Sequence, residues 1–114
     1  MLILKTMKSG RRQKILEEAW IGDAVLSLYA RSRILDEGGA VNSETLERMT
    51  SNRFLAAFGE PSSVEAEIGR AYERGGLSGG FAWIEEHLMP VYRRQEEKRL
   101  RGESHKTHSH KPVA

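Results

Sequence analysis

The sequence contains no cysteine, which excludes a disulfide framework and any thiolate metal site. It also lacks long apolar runs: none approaches the roughly 20 residues that span a bilayer. Met1-Leu2-Ile3-Leu4 is too short for a secretory hydrophobic region and has no cleavage site after it. A cytoplasmic protein with no membrane role is expected. No internal repeat is present and strand patterning is almost absent, so β architectures are not expected. There is no Gly-x-Ser-x-Gly nucleophile elbow. Gly75-Gly76 and Gly79-Gly80 lack the Lys-Ser/Thr that completes a phosphate-cradling loop, and no small-molecule cofactor is implied. A helical nucleotide pyrophosphohydrolase would pair Glu-x-x-Glu with a later Glu-x-x-Asp. Glu44 and Glu47 supply the first half, but no Asp follows Asp36.

What is present is an ordinary globular balance in 114 residues, 39% apolar and 30% charged, enough for one domain. The net charge of +2 is unevenly spread. Residues 1–14 hold five basic groups and no acid, and residues 93–114 hold seven basic and three acidic groups. The middle, 15–92, has six Arg against thirteen carboxylates. Basic arms on an acidic body suit a polyanion partner close to a cation site, although solvated surface charge produces the same pattern.

Helical periodicity runs through most of the chain. From about Arg11 to Leu35, Ile15, Leu16, Ala19, Trp20, Ala24, Leu28 and Leu35 recur at spacings of three and four, which predicts a core-facing stripe. Ile21, Val25, Tyr29 and Ile34 widen it until it nearly encircles the helix, so the helix is central or faces a partner subunit. Gly38-Gly39 end it. Asn42 or Ser43 caps a second helix expected to run through Leu46, Met49, Phe54, Leu55 and Phe58 to Gly59. Ser62 or Ser63 caps a third, carrying Val64, Ile68, Ala71 and Tyr72 and closed by Gly75-Gly76. A fourth starts near Ser78, buries Phe81, Trp83, Ile84 and Leu88, and meets Pro90, which bends or ends it. Residues 102–114 read as a disordered basic, His-rich tail after a single domain over 1–101. The expectation is an all-α fold. Trp20, Tyr29, Phe81 and Trp83 are a large aromatic load for so small a body, which favours a homodimer.

The sharpest anomaly is Gly22-Asp23 within the most apolar helix. Glycine costs about 1 kcal/mol relative to alanine there. A carboxylate removed from water needs a cation or hydrogen-bond donors. Two readings fit. Asp23 pairs with an arginine such as Arg31, Arg53 or Arg70, or Gly22 admits another helix and Asp23 meets a group on it. Glu65 is the natural second carboxylate, with its own alternative: Ser62-x-x-Glu65 has the form of a capping box. Oxygen ligands without Cys or paired His suit Mg²⁺ or Mn²⁺ rather than zinc. His105, His108 and His110 read as incidental tail residues, and His87 as a helix-surface or core residue.

The stretch Leu16-Glu17-Glu18-Ala19-Trp20-Ile21-Gly22-Asp23-Ala24-Val25 resembles the first motif of the ribonuclease III endonuclease domain. The form is that of the small bacterial mini-ribonuclease III branch, which reads Ala-Tyr-Ile-Gly-Asp-Ala. Ser62-Ser63-Val64-Glu65-Ala66-Glu67-Ile68-Gly69 is similar to the second motif, Glu-Ala-x-x-Gly, and Tyr72 through Leu77 extend the likeness. It covers roughly residues 12–88. The resemblance implies a compact, all-α, homodimeric domain that cleaves double-stranded RNA with Mg²⁺ or Mn²⁺, with ribosomal-RNA precursors as the family's kind of substrate. Asp23 and Glu65 match the metal-binding, catalytic Asp and Glu. Lys8, Arg11, Arg12, Lys14 and Arg53 are the candidate RNA contacts, with the Arg93–Arg101 cluster secondary. Further carboxylates of the larger enzymes fall here at Leu16, Ala19 and Ser62. The family's basic segment before the second motif is reduced to residues 59–62. The alternative is therefore a degraded module of the same fold that binds RNA or a ribosomal partner without cleaving. A third reading is a structural dimer with no nucleic-acid role.

Overall fold

A computed structural model of the protein describes the backbone of residues 2–110 and the side chains of residues 10–102. Five helices follow in order: α1 (Leu2–Gly38), α2 (Ser43–Thr50), α3 (Asn52–Leu55), α4 (Pro61–His87) and α5 (Met89–His110). No strand occurs among the described residues, so the all-α expectation holds. No helix among them is long and apolar enough to cross a membrane.

Two helices are broken by glycine. In α1, Gly10 has φ 54° and ψ −125°, so the straight part begins at Arg11, as its periodicity predicts. In α4, Gly75 and Gly76 leave helical geometry, Gly76 at φ 65°, and separate a limb of residues 61–74 from one of residues 77–87. The second limb presses on the first: a Cβ on Gly79 would lie 2.7 Å from the Ala71 carbonyl oxygen. Only Leu88 separates α4 from α5, whose first turn holds Pro90 where proline is tolerated.

Caps place the remaining ends. Gly39 at φ 73° closes α1, and the Asn42 side chain accepts from the Thr45 N–H at 3.0 Å to start α2. The single helix expected from Leu46 to Phe58 is divided. The Ser51 hydroxyl accepts from the Phe54 N–H at 3.1 Å, and that cap starts α3 in a new direction. The start of α4 also differs from expectation. Pro61 takes the first helical position, and Glu60, not a serine, caps the helix by accepting from Ser63 N–H at 2.9 Å.

The core gathers residues from every helix: Leu26 of α1, Met49 of α2, Leu55 of α3, Ile68 and Ile84 of the two α4 limbs, and Met89 of α5 are fully buried. Phe54 packs edge-on against Phe58 and Tyr92, with centroids 5.3 and 5.9 Å apart. Tyr29 and Phe81 form a third edge-on pair at 5.3 Å. The face of α1 in this core carries Gly22, Val25, Leu26, Tyr29 and Ala30. The stripe expected there mostly lies on the other side: Leu16, Trp20, Ala24, Leu28 and Leu35 are exposed, and only Ala19 is buried. Both stripes satisfy the helical period, so periodicity could not choose between them. The glycines choose, because α1 and α4 approach most closely where neither helix has a side chain.

Candidate metal and RNA site

At that crossing a Cβ on Gly22 would come within 1.7 Å of the Glu65 carbonyl oxygen, and one on Gly69 within 2.1 Å of the Glu18 carbonyl oxygen. Two glycines, one from each helix, therefore interlock the backbones. The reading in which Gly22 admits a second helix holds. A consequence is that Asp23, the next residue on α1, is held beside Glu65 of α4. The Asp23 carboxylate is close enough there to act on the Glu65 carboxyl.

The environment of the pair differs from the expected one in one respect. Asp23 is solvent-exposed and not buried, because it sits at the margin of the crossing, while Glu65 is half-buried. Among the described residues, none of Arg31, Arg53 and Arg70 pairs with Asp23. Arg70 binds Glu18 at 2.7 Å and Glu67 at 2.9 Å, and Arg31 binds the Ser27 hydroxyl at 3.0 Å. Glu65 does not close a capping box either, since Glu60 occupies that role and leaves Glu65 free to face α1. Desolvation, the Asp23 carboxylate and then the charge of Glu60 together push the Glu65 carboxyl up to about 7. Glu60 itself is held low by the Ser63 N–H and hydroxyl that bind it. The charges of Asp23 and Glu60 thus both act on Glu65.

Glu60 escaped the sequence reading. Its signal was the Glu60-Pro61 pair, an acceptor followed by proline at the first helical position. Glu18 escaped it too. It is buried, and its carboxylate bridges Arg70 at 2.7 Å and Lys14 at 3.9 Å, tying α1 to α4 one turn from Gly22.

The proposed RNA contacts divide into groups. Arg11 and Arg12 are exposed and line a cavity of about 480 Å³ with Leu16, Glu60, Ser62 and Ser63, one turn of α4 before Glu65. Lys14 is exposed beside them. Arg53 is on α3, in a different groove with Arg48 and Arg99. Lys8 lies outside the described side chains. The expected tail, 102–114, lies largely outside them as well, and its last four residues lie outside the described backbone.

Two carboxylates on facing helices, drawn together although they repel, fit a small divalent ion. Mg²⁺ is commonly held by one or two carboxylates and several waters. No group of three or more His, Asp or Glu arranged for a metal occurs among the described residues. Comparison with protein-family models, with curated proteins and with solved structures finds no match.

Proposed function

We propose that the chain is a ribonuclease III-type endoribonuclease that cleaves double-stranded or structured RNA as a homodimer, with Mg²⁺ or Mn²⁺ held by Asp23 and Glu65. The observation that carries this reading is the Gly22–Gly69 crossing. It places Asp23 beside Glu65 and lifts the Glu65 carboxyl to about 7, a pair that a divalent cation would relieve. A divalent ion there supplies Lewis acidity toward a phosphodiester and its attacking water. Arg11, Arg12 and Lys14 stand on the same side of the molecule as the start of α4, where they can hold phosphates near the carboxylates. Glu18 and Arg70 fix the spacing of the two helices that carry the pair.

Homodimerisation is supported by the outward face of α1. Leu16, Trp20, Ile21, Leu28 and Leu35 form an exposed apolar stripe there, and Trp20 is 80% exposed. Such a stripe on one helix suits the same stripe of a second copy. Ribosomal-RNA precursors in the cytoplasm are the substrate that the motif resemblance implies.

One observation favours a second reading, a module of the same fold that binds RNA or a ribosomal partner without cleaving. Among the described residues no third carboxylate, His or Cys joins Asp23 and Glu65 in a group that could hold a metal, and Leu16, Ala19 and Ser62 stand where larger enzymes add acidic groups. Incubating pure protein with long duplex RNA, in Mg²⁺ and in EDTA, separates the two. Discrete metal-dependent products support the enzyme, and binding without products supports the module.

A further inference from the structure

The sequence offers α4 two places to start, and they use Glu65 differently. In the start that the structure adopts, Glu60 is the cap and Pro61 the first helical residue. In the other, Ser62 caps the helix and Glu65, three residues on, bonds back to the Ser62 N–H as a capping box. A Glu65 carboxylate turned back along its own helix is turned away from Asp23 on α1. We propose that Glu60 is a positioning residue of the carboxylate pair: by capping α4 it excludes the Ser62 start and leaves Glu65 to α1. That the pair holds a metal rests on the function proposed above, and the choice between the two starts does not.

Glu60 ties up the first turn and leaves Glu65 nothing to cap. Its carboxylate accepts from the Ser63 N–H at 2.9 Å and from the Ser63 hydroxyl at 3.0 Å. Its backbone carbonyl accepts from the N–H groups of Ser63 and Val64 at 2.9 and 3.1 Å. The Ser62 backbone and hydroxyl lie close enough to act on the same carboxylate, and Pro61 has no N–H to satisfy.

Residue type alone favours the other start, because serine is among the preferred caps and glutamate is not. What opposes it is Pro61, whose ring holds φ near the helical value at the first position, together with the bonds to Glu60. The Gly22–Gly69 crossing does not choose, because Glu65 and Gly69 are helical from either start. A change of cap therefore redirects Glu65 while α1 and α4 stay packed. Glu60 is exposed, so in physiological salt its hydrogen bonds outweigh its screened charge.

Mn²⁺ binding, read from the electron paramagnetic resonance signal of the free ion in physiological salt, tests this without RNA. Glu60→Ala admits the Ser62 start and should weaken Mn²⁺ binding about 3- to 10-fold while circular dichroism stays nearly unchanged. Glu60→Asp and Glu60→Asn, one charged and one neutral, are both good caps and should stay within about 2-fold of wild type. Glu60→Asn as weak as Glu60→Ala would mean that charge and not capping matters, and would overturn the proposal. The start itself is read by amide exchange in NMR with no metal present. In Glu60→Ala the Ser62 N–H should exchange more slowly than in Glu60→Ala/Glu65→Ala, because Glu65 then binds it. Equal exchange in those two variants would overturn the proposal as well. The metal reading fails separately: a wild type that binds Mn²⁺ no better than Asp23→Asn, with Ser62 protected as expected, keeps the choice of start and loses the metal site.

Discussion

Gly22 and Glu65 meet backbone to backbone, so closely that a methyl group on Gly22 would come within 1.7 Å of the Glu65 carbonyl oxygen. The same glycine that opens α1 to this approach precedes the acid that uses it. A position in the helix that is unfavourable by propensity becomes the point where two carboxylates are brought together.

Gly22→Ala should therefore separate α1 from α4. Overpacking costs typically 1–3 kcal/mol, and a clash with backbone rather than with a flexible side chain puts this substitution at about 3 kcal/mol or more. Gly69→Ala, 2.1 Å from the Glu18 carbonyl oxygen, should behave alike. Urea denaturation followed by circular dichroism measures both. A stability within 0.5 kcal/mol of wild type, roughly the range of a surface substitution, would show that the helices do not cross at these glycines.

Glu65 makes stability depend on pH in a definite direction. Its folded carboxyl titrates at about 7, above the ordinary value of 4.5, so the folded state holds a proton that the unfolded chain releases sooner. This contribution is fully present below the ordinary value and is lost as pH rises through about 7. Metal-free protein should lose stability across that window, and Glu65→Gln should flatten the loss. Mg²⁺ competes with the proton, so it should raise the melting temperature above pH 7 and have little effect near about pH 5. A Mg²⁺ effect equal at both pH values, or unchanged in Glu65→Gln, would place the ion elsewhere.

Arg70→Met should leave the buried Glu18 carboxylate with only Lys14, which stands 3.9 Å away and is itself exposed. Breaking a buried pair costs about 3–5 kcal/mol, and the partial exposure of Arg70 brings the expected loss to about 2 kcal/mol. The double variant Glu18→Gln/Arg70→Met should recover part of it in the same denaturation experiment. Equal losses in the single and double variants would deny the coupling.

If the α1 stripe forms the proposed dimer, Trp20→Glu should convert it to monomers without disturbing the protomer, because Trp20 is 80% exposed and lies outside the core. Interface tryptophans contribute about 2 kcal/mol or more, so the dissociation constant should rise at least about 30-fold. Sedimentation velocity across a concentration series reads this directly. A variant that self-associates like wild type would show that the α1 stripe is not the contact.

Much of this was legible in the residues. Gly22 announced itself by being costly inside a helix, whereas the cost expected for a buried Asp23 does not arise because that side chain is exposed, and the order of helices followed from period and glycine stops. The faces of α1 were not legible, because a helix apolar nearly all round offers two equally periodic stripes and only Gly69 of α4 decides between them. The break at Ser51 was hidden for another reason: its cap is a serine within an apolar pattern that continues on both sides. The cap of α4 is hidden because Ser62-x-x-Glu65 has the spacing of a capping box, whereas Glu60-Pro61 forms the actual start. With Glu60 in that role, Glu65 faces Asp23.

The central claim is tested most directly by cleavage of a long duplex RNA with wild-type protein and with Asp23→Asn and Glu65→Gln, each confirmed as folded. The account predicts discrete products in Mg²⁺ that disappear in EDTA and in both variants, while RNA binding in EDTA persists in all three proteins. Products that survive the loss of either carboxylate, or no products from folded wild-type dimer at high concentration, would contradict it.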